Sequence, residues 1–186
     1  MTMIKKYADQ KHKQQAEAFI FAVGQFVIEF ERVCEEMRYN VMFSMRAQGL
    51  KNQGMEEVII GDKAAAELRE LMGALYCELP NQDEDDKEAV RKLLKTILNL
   101  TEKRNILLHS NWQLGSKAAE GEFYASALRF RKKQNKGAVP ELYGHSADYV
   151  HSLSEEARRI QIYLSRLQYC ICQKGFKVSK EFSKKL

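Results

Sequence analysis

Apolar side chains recur every three or four residues over a long stretch near the start of the chain. The stripe consists of Phe19, Val23, Phe26, Phe30, Cys34, Met37 and Val41. This spacing places the apolar residues on one face of an α-helix, and that face must pack against other elements to be buried. The sequence therefore predicts a long helix from about Gln10 to about Arg46 and a fold built on helix packing.

Three further helices are predicted from similar stripes. The second helix runs from Asp62 to Leu79, with the Asp as its N-cap and Pro80 as its stop. The third begins within Asp83–Asp86, whose carboxylates suit the positive end of a helix dipole, and continues to His109. The last runs from about Ser146 to about Gln173.

Shorter segments interrupt these helices. Gly49 to Gly54 is predicted to form a loop, and Val58 to Ile60 is too short to classify, so it is placed as a loop on the core. Glu122 to Lys132 is rich in aromatic residues and predicts a short strand or hairpin. The predicted fold class is all-α: a bundle of four to five helices with a short loop or β-hairpin insertion before the last helix.

The chain is expected to form a single domain over residues 1–186, with a basic tail at about 174–186. No apolar run is long enough to span a bilayer, and Met1 to Gln15 lacks the apolar core of a secretory signal. A cytoplasmic protein with no membrane partner is therefore expected. The four cysteines lack the spacing of a zinc site, so reduced thiols are expected.

Positive charge is concentrated in three places, although the net charge is only +5. The clusters are Lys5, Lys6, Lys11 and Lys13; Arg129, Arg131, Lys132, Lys133 and Lys136; and Lys174, Lys177, Lys180, Lys184 and Lys185. Segregated positive charge favours a polyanionic partner such as RNA. For the two terminal clusters a solvated surface and a disordered tail is the preferred interpretation, whereas the central cluster fits either interpretation equally.

One short segment carries the functional chemistry: Arg104, Asn105 and His109, near the end of the third predicted helix. Arginine binds phosphate through a fixed fork of donors, and histidine transfers protons near neutral pH. On a helix, Asn105 and His109 share a face, whereas the directions of Arg104 and His109 differ by roughly 140°. Either the long arginine curls towards the histidine, or the site lies between two copies of the chain.

These residue types suit the cleavage of RNA without a metal or cofactor. A base removes the proton of the 2′-hydroxyl, which attacks the adjacent phosphorus, and an acid protonates the leaving 5′-oxygen. Arginine stabilises the charge that develops on the phosphoryl oxygens. The expected products are a 2′,3′-cyclic phosphate and a 5′-hydroxyl. Candidate substrate contacts are Lys103, Arg129, Arg131, Lys132 and Lys133.

The same residues also have a purely structural interpretation. Arg104 can pair with an acid on a neighbouring helix, and His109 can serve as a helix-end residue, a position that the helix dipole favours. Spacing alone favours this interpretation, because two residues on one helix make a weak motif.

The segment from Arg104 to His109 resembles the Arg-polar-x-x-x-His signature of the HEPN superfamily (higher eukaryotes and prokaryotes nucleotide-binding domains). The predicted helical bundle and the hairpin before its last helix are also similar to that family. The resemblance implies a homodimer with a composite, metal-independent ribonuclease site at its interface. It implies catalytic roles for Arg104 and His109 and a supporting role for Asn105.

Many members of that family act as toxins in defence or toxin–antitoxin systems, so the resemblance also implies a protein antitoxin or regulator. Other members lack nuclease activity. The alternative functions are therefore an inactive helical module that binds RNA, a nucleotide or a protein, and a structural dimer. A nuclease needs its motifs to meet in an open, positively charged cleft, whereas a structural motif is buried and paired with acids.

Overall fold

The computed structural model describes residues 10–80, 82–117, 123–133, 137–173 and 175–183. Several residues of the predicted basic clusters lie outside these ranges, as does Glu122 of the predicted hairpin. The cluster residues concerned are Lys5, Lys6, Lys136, Lys174, Lys184 and Lys185.

The residues described form six helices and one three-stranded antiparallel sheet, so the prediction of a mainly helical chain is confirmed. The helices are α1 (Gln10–Ala47), α2 (Gln53–Ile60), α3 (Ala65–Cys77), α4 (Glu84–His109), α5 (Ala147–Cys172) and α6 (Val178–Ser183). The strands are β1 (Asn111–Lys117), β2 (Phe123–Lys133) and β3 (Gly137–His145), and they follow α4.

The first, third and last predicted helices form as expected, and they are α1, α4 and α5. Helix α1 ends beside Gly49, whose φ of 95° is a left-handed conformation that glycine adopts without strain. Asp83 Oδ1 accepts a hydrogen bond from the amide of Asp86 and so caps α4, as its acidic start predicts. Ser146 Oγ accepts from the amide of Tyr149 and caps α5 in the same way.

Two predictions about the early helices are wrong. The segment that includes Val58–Ile60 is not a loop but the helix α2, which Asn52 caps by accepting from the amide of Met55. Its buried Glu56 accepts two hydrogen bonds of 2.8 Å from Arg46, and this pair holds the short helix on the end of α1. Asp62 does not cap α3, because α3 begins at Ala65.

The start of α3 is stabilised by a side chain within the helix instead. The carboxylate of Glu67 reaches back one turn and accepts from the amide of Ala64 at 3.0 Å. This contact satisfies one of the amides that the first turn of a helix leaves unpaired.

The insertion before the last helix is larger than the predicted loop or hairpin. The strand order is β1-β2-β3, and both neighbouring pairs are antiparallel. The β1–β2 register shifts between Leu114 and Ser116, which leaves Gly115 in a bulge. Ala125 and Ala127 of β2 are buried, whereas Leu128 and its cross-strand partner Leu142 are exposed.

Part of the predicted basic tail is a helix rather than a solvated segment. Val178, the first residue of α6, is buried, and the Ser179 amide and hydroxyl both donate to Asp86 Oδ1 at 2.8 Å. Lys177 pairs with Asp83 beside this contact. Residues 177–179 are ordered because one apolar side chain and two polar groups find partners on the helical part of the chain.

The chain divides into two units. The sheet unit contains Met1–Ile28 and Lys103–Ser154, and the helical unit contains Glu29–Glu102 and Glu155–Leu186. The described core of the sheet unit includes buried side chains from the early part of α1, the end of α4, β2 and the start of α5. They are Phe19, Ala22, Phe26, Leu107, Ala125, Ala127, Val150 and Leu153.

The helical unit joins α1 and α5 through buried polar contacts. Glu29 is 4% exposed and accepts hydrogen bonds from Arg158 Nε at 3.2 Å and from Gln161 Nε2 at 3.0 Å. The buried Asn40 donates from Nδ2 to the backbone oxygen of Leu164 at 3.1 Å. Burial raises the pKa of Glu29, but the bonds from Gln161 and Arg158 and the charge of Arg32 outweigh it, so the pKa is lowered overall.

The substitution Glu29→Gln is expected to destabilise the protein by about 1–2 kcal/mol at pH 7, because it removes the charge from buried hydrogen bonds. Because the pKa of Glu29 is lower in the folded state than the ordinary carboxyl pKa of 4.5, ionised Glu29 stabilises the folded state above pH 4.5. This contribution is lost as the pH falls through the pKa of Glu29 in the folded state. Urea unfolding of wild type and variant at several pH values tests both points. The two stabilities should converge below pH 4.5.

The matched control is Glu35→Gln, which alters an exposed carboxylate of the same helix. Its effect should stay within about 0.5 kcal/mol at every pH. A Glu29→Gln effect that equals the control, or that grows in acid, would contradict the assignment.

Candidate functional site

The motif predicted from the sequence lies in the last two turns of α4. His109 is the final residue of the helix and is exposed, whereas Arg104 and Asn105 are half-buried. Arg104 Nη1 donates a hydrogen bond to Asn105 Oδ1 at 3.2 Å. The structure therefore brings Arg104 and Asn105 into direct contact and places His109 one helical turn further on.

This hydrogen bond affects the direction of Arg104, which on an ideal helix differs from that of His109 by roughly 140°. Asn105 and His109 are four residues apart on a continuous helix, so their side chains leave from the same face. Because Arg104 is bonded to the amide oxygen of Asn105, its guanidinium is drawn towards that face. Both arrangements that the spacing allows, a site within one chain and a site between two copies, are compatible with this bond.

The three side chains offer complementary chemistry. The guanidinium carries several N–H donors that match phosphate oxygens, and the Asn105 amide nitrogen still has donors because its oxygen receives the arginine bond. The imidazole of His109 is exposed and can reach an external substrate. Lys103 lies on the same turn as Arg104 and is half-buried. Such a set can bind a phosphodiester and transfer a proton beside it.

The end of α4 is fixed by a side chain from the sheet. Trp112 in β1 donates from Nε1 to the backbone oxygen of Leu107 at 2.7 Å. The last four carbonyls of a helix lack partners within it, so this bond satisfies one of them. Because Leu107 immediately precedes Leu108 and His109, the tryptophan holds the helical turn that carries His109.

Trp112 is itself held by a cluster of aromatic rings. Its ring centroid lies 5.2 Å from that of Phe19 in α1 and 5.7 Å from that of His145 at the end of β3. His145 in turn stacks on Tyr149 of α5 at 4.4 Å. Four elements of the sheet unit thus contribute a ring to the cluster that supports the end of α4.

Burial lowers the pKa of His145, and a backbone hydrogen bond at Gly144 only partly opposes this effect. The ring is therefore neutral at neutral pH, which suits its position between two other aromatic rings. The support of Trp112 by His145 has no local sequence signal, because the residues of the cluster are far apart in the chain.

The basic residues predicted to contact substrate lie along β2. The backbone pairing sets Leu128 opposite Asn111, which is two residues after His109. Arg129 is the next residue after Leu128 and therefore lies close to the end of the motif. Arg131, Lys132 and Lys133 lie progressively further along β2, at roughly 3.4 Å per residue, where the strand pairs only with β3. The side chains of these four basic residues lie outside what the structure describes.

In the described part of the chain, no three His, Cys, Asp or Glu side chains are grouped so as to hold a metal ion. None of the described helices combines the length and apolar character needed to cross a membrane. None of the four cysteines forms a disulfide within the part of the chain that the structure describes. Comparison with known proteins gave no match to a family model, a curated protein or a solved structure. Function is therefore inferred from the geometry and chemistry of the site.

Trp112 is the only tryptophan in the chain, so its fluorescence reports on this cluster. Protonation of the neighbouring His145 is expected to quench it, with a midpoint below the ordinary histidine value of 6.5. A lowered pKa also means that stability is lost as pH falls below 6.5, since the unfolded state gains the proton first. Fluorescence and urea titrations from about pH 8 to about pH 4, a range that includes the titration of histidine, measure both effects.

Two variants separate His145 from the other histidines. His145→Phe keeps a ring against Tyr149 and Trp112 and should abolish the fluorescence transition, whereas His109→Ala should keep it. A transition that survives in His145→Phe, or one with a midpoint above 6.5, would refute the assignment.

Proposed function

We propose that this chain is a metal-independent RNA endonuclease of the HEPN type, in which Arg104 and His109 are catalytic and Asn105 supports them. The observation that carries the proposal is the bond from Arg104 to Asn105, beside an exposed His109 at a helix end. This bond sets a guanidinium and an amide together one helical turn before a histidine, and these are groups that can bind a phosphodiester and transfer a proton. Defence or toxin–antitoxin activity, controlled by a protein antitoxin, is the biological setting that the resemblance implies.

In the proposed reaction, a neutral imidazole accepts the proton of the RNA 2′-hydroxyl. The 2′-oxygen forms a bond to phosphorus, the bond from phosphorus to the 5′-oxygen breaks, and a protonated imidazole supplies a proton to that oxygen. Arg104 and the Asn105 amide donate to the non-bridging phosphoryl oxygens as their charge increases. The products are a 2′,3′-cyclic phosphate and a 5′-hydroxyl, and no redox change or external nucleophile is involved.

This mechanism uses two imidazoles in two protonation states, and α4 supplies one at its end. A homodimer that brings two α4 ends together supplies both, and this is the arrangement that we propose. Apolar surface on the sheet unit supports it. Leu108, next to His109, is 37% exposed, and Ile20, Phe21 and Ile28 of α1 are all more than half exposed.

RNA binding is assigned to the positive charge near the motif. Lys103 lies beside Arg104, and the backbone pairing places Arg129 nearest to the α4 end among the basic residues of β2. Arg131, Lys132 and Lys133 extend the same strand and would follow the RNA backbone away from the cut. Contacts of this kind neutralise phosphates, so binding should weaken as salt increases.

The alternative is a helical module without catalysis that binds RNA, a nucleotide or a protein. The half-buried position of Arg104 favours it, because a guanidinium engaged with Asn105 presents less surface to a phosphate than an exposed one. Both functions place a ligand at the same site, so the cleavage experiment separates them.

Wild-type protein is expected to cleave a fluorescent structured RNA in excess EDTA, and His109→Ala is expected to reduce the rate by at least about 100-fold, the usual effect of losing a general acid or base. Because His109 is exposed, the variant should fold and dimerise normally. Gel analysis gives the rate, and phosphatase treatment of the fragments identifies the cyclic phosphate.

His151→Ala is the matched control, because it alters a half-buried histidine outside the motif. It should cleave at the wild-type rate. RNA binding without cleavage by a folded wild-type dimer would favour the non-catalytic module, and loss of cleavage in EDTA would exclude the metal-free mechanism.

A composite site makes a second prediction. The mechanism needs the imidazoles of both copies at one site, so a dimer of one wild-type chain and one His109→Ala chain should be inactive. Wild type and His109→Ala that are unfolded and refolded together in equal amounts should therefore cleave at about a quarter of the rate of wild type at the same total concentration, because only about a quarter of the dimers keep both histidines. Cleavage by wild type, by the variant and by the refolded mixture measures this loss.

A site that is complete within one chain would instead leave about half of the wild-type rate, because every wild-type chain would stay active in any dimer. About half of the rate from a mixture that forms heterodimers, as shown by mass spectrometry of tagged chains, would therefore place each site within one chain. Active wild-type protein that is monomeric at the assay concentration would reject the dimer and leave the chemistry intact.

A further inference from the structure

The three-stranded sheet has two different faces. Its inner face carries the buried Ala125 and Ala127 of β2, and Trp112, which is opposite Ala127, packs on Phe19 from the same face. Because successive side chains of a strand point to opposite faces, the residues between these lie on the other side of the sheet. We refer to that side as the outer sheet face. Its described residues are Asn111, Gln113, Ser126, Leu128, Leu142 and Gly144.

The register of the strands arranges these residues in two rows. One row consists of Asn111, Leu128 and Leu142, and the other of Gln113, Ser126 and Gly144. Leu128 is 44% exposed and Leu142 is 78% exposed. Side chains directly opposite on paired strands have Cβ atoms roughly 5 Å apart, so the two leucines form one apolar patch. A ligand that covers this patch removes apolar surface from water.

Two carboxamides lie beside the apolar patch. Asn111 and Gln113 are exposed, and neither side chain forms a hydrogen bond with another residue that the structure describes. They are two residues apart on β1, so their Cα atoms are separated by roughly 7 Å. Each carboxamide offers an acceptor oxygen and a donor NH₂ group side by side. Such groups beside an apolar patch fit a flat heterocycle with hydrogen-bonding atoms at its edge, such as a nucleobase.

The charge of the strands favours a nucleic acid as the source of that heterocycle. The segment from Asn111 to His145 contains six basic and three acidic residues, so it carries +3 of the net charge of +5. One of the acids, Glu141, accepts a hydrogen bond from Tyr143, which lies on the inner face opposite Ala127. None of the described residues of the outer sheet face carries a carboxylate. A phosphate backbone is therefore attracted to the strands.

The outer sheet face begins next to the proposed catalytic residues. Asn111 follows His109 by two residues, so their Cα atoms are at most roughly 7 Å apart. A phosphate bound at the motif therefore brings a base of an adjoining nucleotide within reach of Asn111. Only an unpaired base can present both its flat side and its edge to a protein surface, so the matching nucleic acid is single-stranded at this point.

We propose that the outer sheet face binds an unpaired nucleobase of the RNA substrate and that Asn111 selects adenine. This inference rests on the proposed nuclease function, because it names the nucleotide beside the cut. A carboxamide matches adenine at both exposed edges, since the N6 amino group donates and either N7 or N1 accepts. Guanine presents two acceptors, N7 and O6, at one of these edges, and a carboxamide cannot donate to both while its oxygen faces one of them.

Four 2′-O-methyl RNA pentamers test the proposal, each with one variable base between two pairs of uridines. They cannot be cleaved because the attacking hydroxyl is blocked, so binding is measured separately from catalysis. Fluorescence anisotropy of end-labelled pentamers gives the affinities of wild type and Asn111→Ala. Asn99→Ala, which removes an exposed carboxamide from α4, is the matched control. Urea unfolding confirms that each variant is folded.

Wild type and Asn99→Ala are expected to bind the adenine pentamer at least about fivefold more tightly than the other three, the lower limit for a bidentate contact with a base. Asn111→Ala should bind all four pentamers alike. Equal binding of the four by folded wild type, or an adenine preference that persists in Asn111→Ala, would overturn the proposal. Absence of measurable binding would do the same.

An exchange of specificity provides a test that a damaged fold cannot imitate. Arginine donates to N7 and O6 of guanine together, so Asn111→Arg should prefer the guanine pentamer to the adenine pentamer. An unchanged preference for adenine in Asn111→Arg would contradict the assigned role.

The apolar patch is tested with Leu142→Ser, and Val58→Ser of α2 is the matched control because Val58 is 83% exposed. Leu142→Ser should weaken binding of the adenine pentamer several-fold, whereas Val58→Ser should leave it unchanged. Size-exclusion chromatography should show the same oligomeric state for all three proteins. A wild-type dimer that Leu142→Ser converts to a monomer would assign this face to contact between two copies and overturn the proposal.

These results are separable from those of the cleavage assay. Adenine-selective binding by a wild-type protein that does not cleave RNA would support the role of the outer sheet face and reject the nuclease. Cleavage of structured RNA in its loops with no preference for positions beside adenine would leave the nuclease intact and overturn the role of Asn111.

Discussion

The buried carboxylate of Glu29 is the contact on which the packing of the helical unit depends. A charge removed from water is costly unless it is paired and hydrogen-bonded, and Arg158 and Gln161 of α5 meet this requirement together. Displacement of α5 by one residue would turn both partners away and leave the carboxylate unpaired. Asn40 and Leu164 impose the same register further along the two helices. Apolar side chains supply most of the stability of such a unit, but these polar contacts determine which packing is possible.

A comparable division of roles holds in the sheet unit. Buried apolar residues fill its interior, and one indole N–H determines the position of the last turn of α4. The bond from Trp112 to Leu107 needs the ring in one orientation, which contacts with Phe19 and His145 maintain. A catalytic side chain at a helix end is otherwise subject to fraying, since the terminal carbonyls have no partners in the helix. The proposed catalytic site therefore depends on residues that never contact the substrate.

Local patterns in the sequence predict the long helices well. An apolar stripe such as that of α1 can be recognised in any short stretch of its sequence. The capping residues Asp83 and Ser146 lie only three residues before the amides that they bind. The motif is equally local, so its place at the end of α4 follows from the sequence, and the bond between Arg104 and Asn105 needs only neighbouring residues.

The features that the sequence does not predict depend on distant partners. Helix α2 is too short to be stable by itself and is held by Arg46, and α6 is ordered by Asp86. The three strands pair in a register that the aromatic content of one segment does not specify. The support of Trp112 by His145 is likewise created by packing between segments that no local window contains.

The contact between Asp86 and Ser179 also has a consequence for biosynthesis. The two residues are separated by 93 positions, so the ribosome releases the start of α4 long before the partner of its buried carboxylate exists. Until then the Asp86 carboxylate is hydrated, because the amide and hydroxyl of Ser179 that it binds in the folded chain have not been made. The packing of α6 against the start of α4 is therefore a post-translational or co-translational step that waits until Ser179 has emerged from the ribosome.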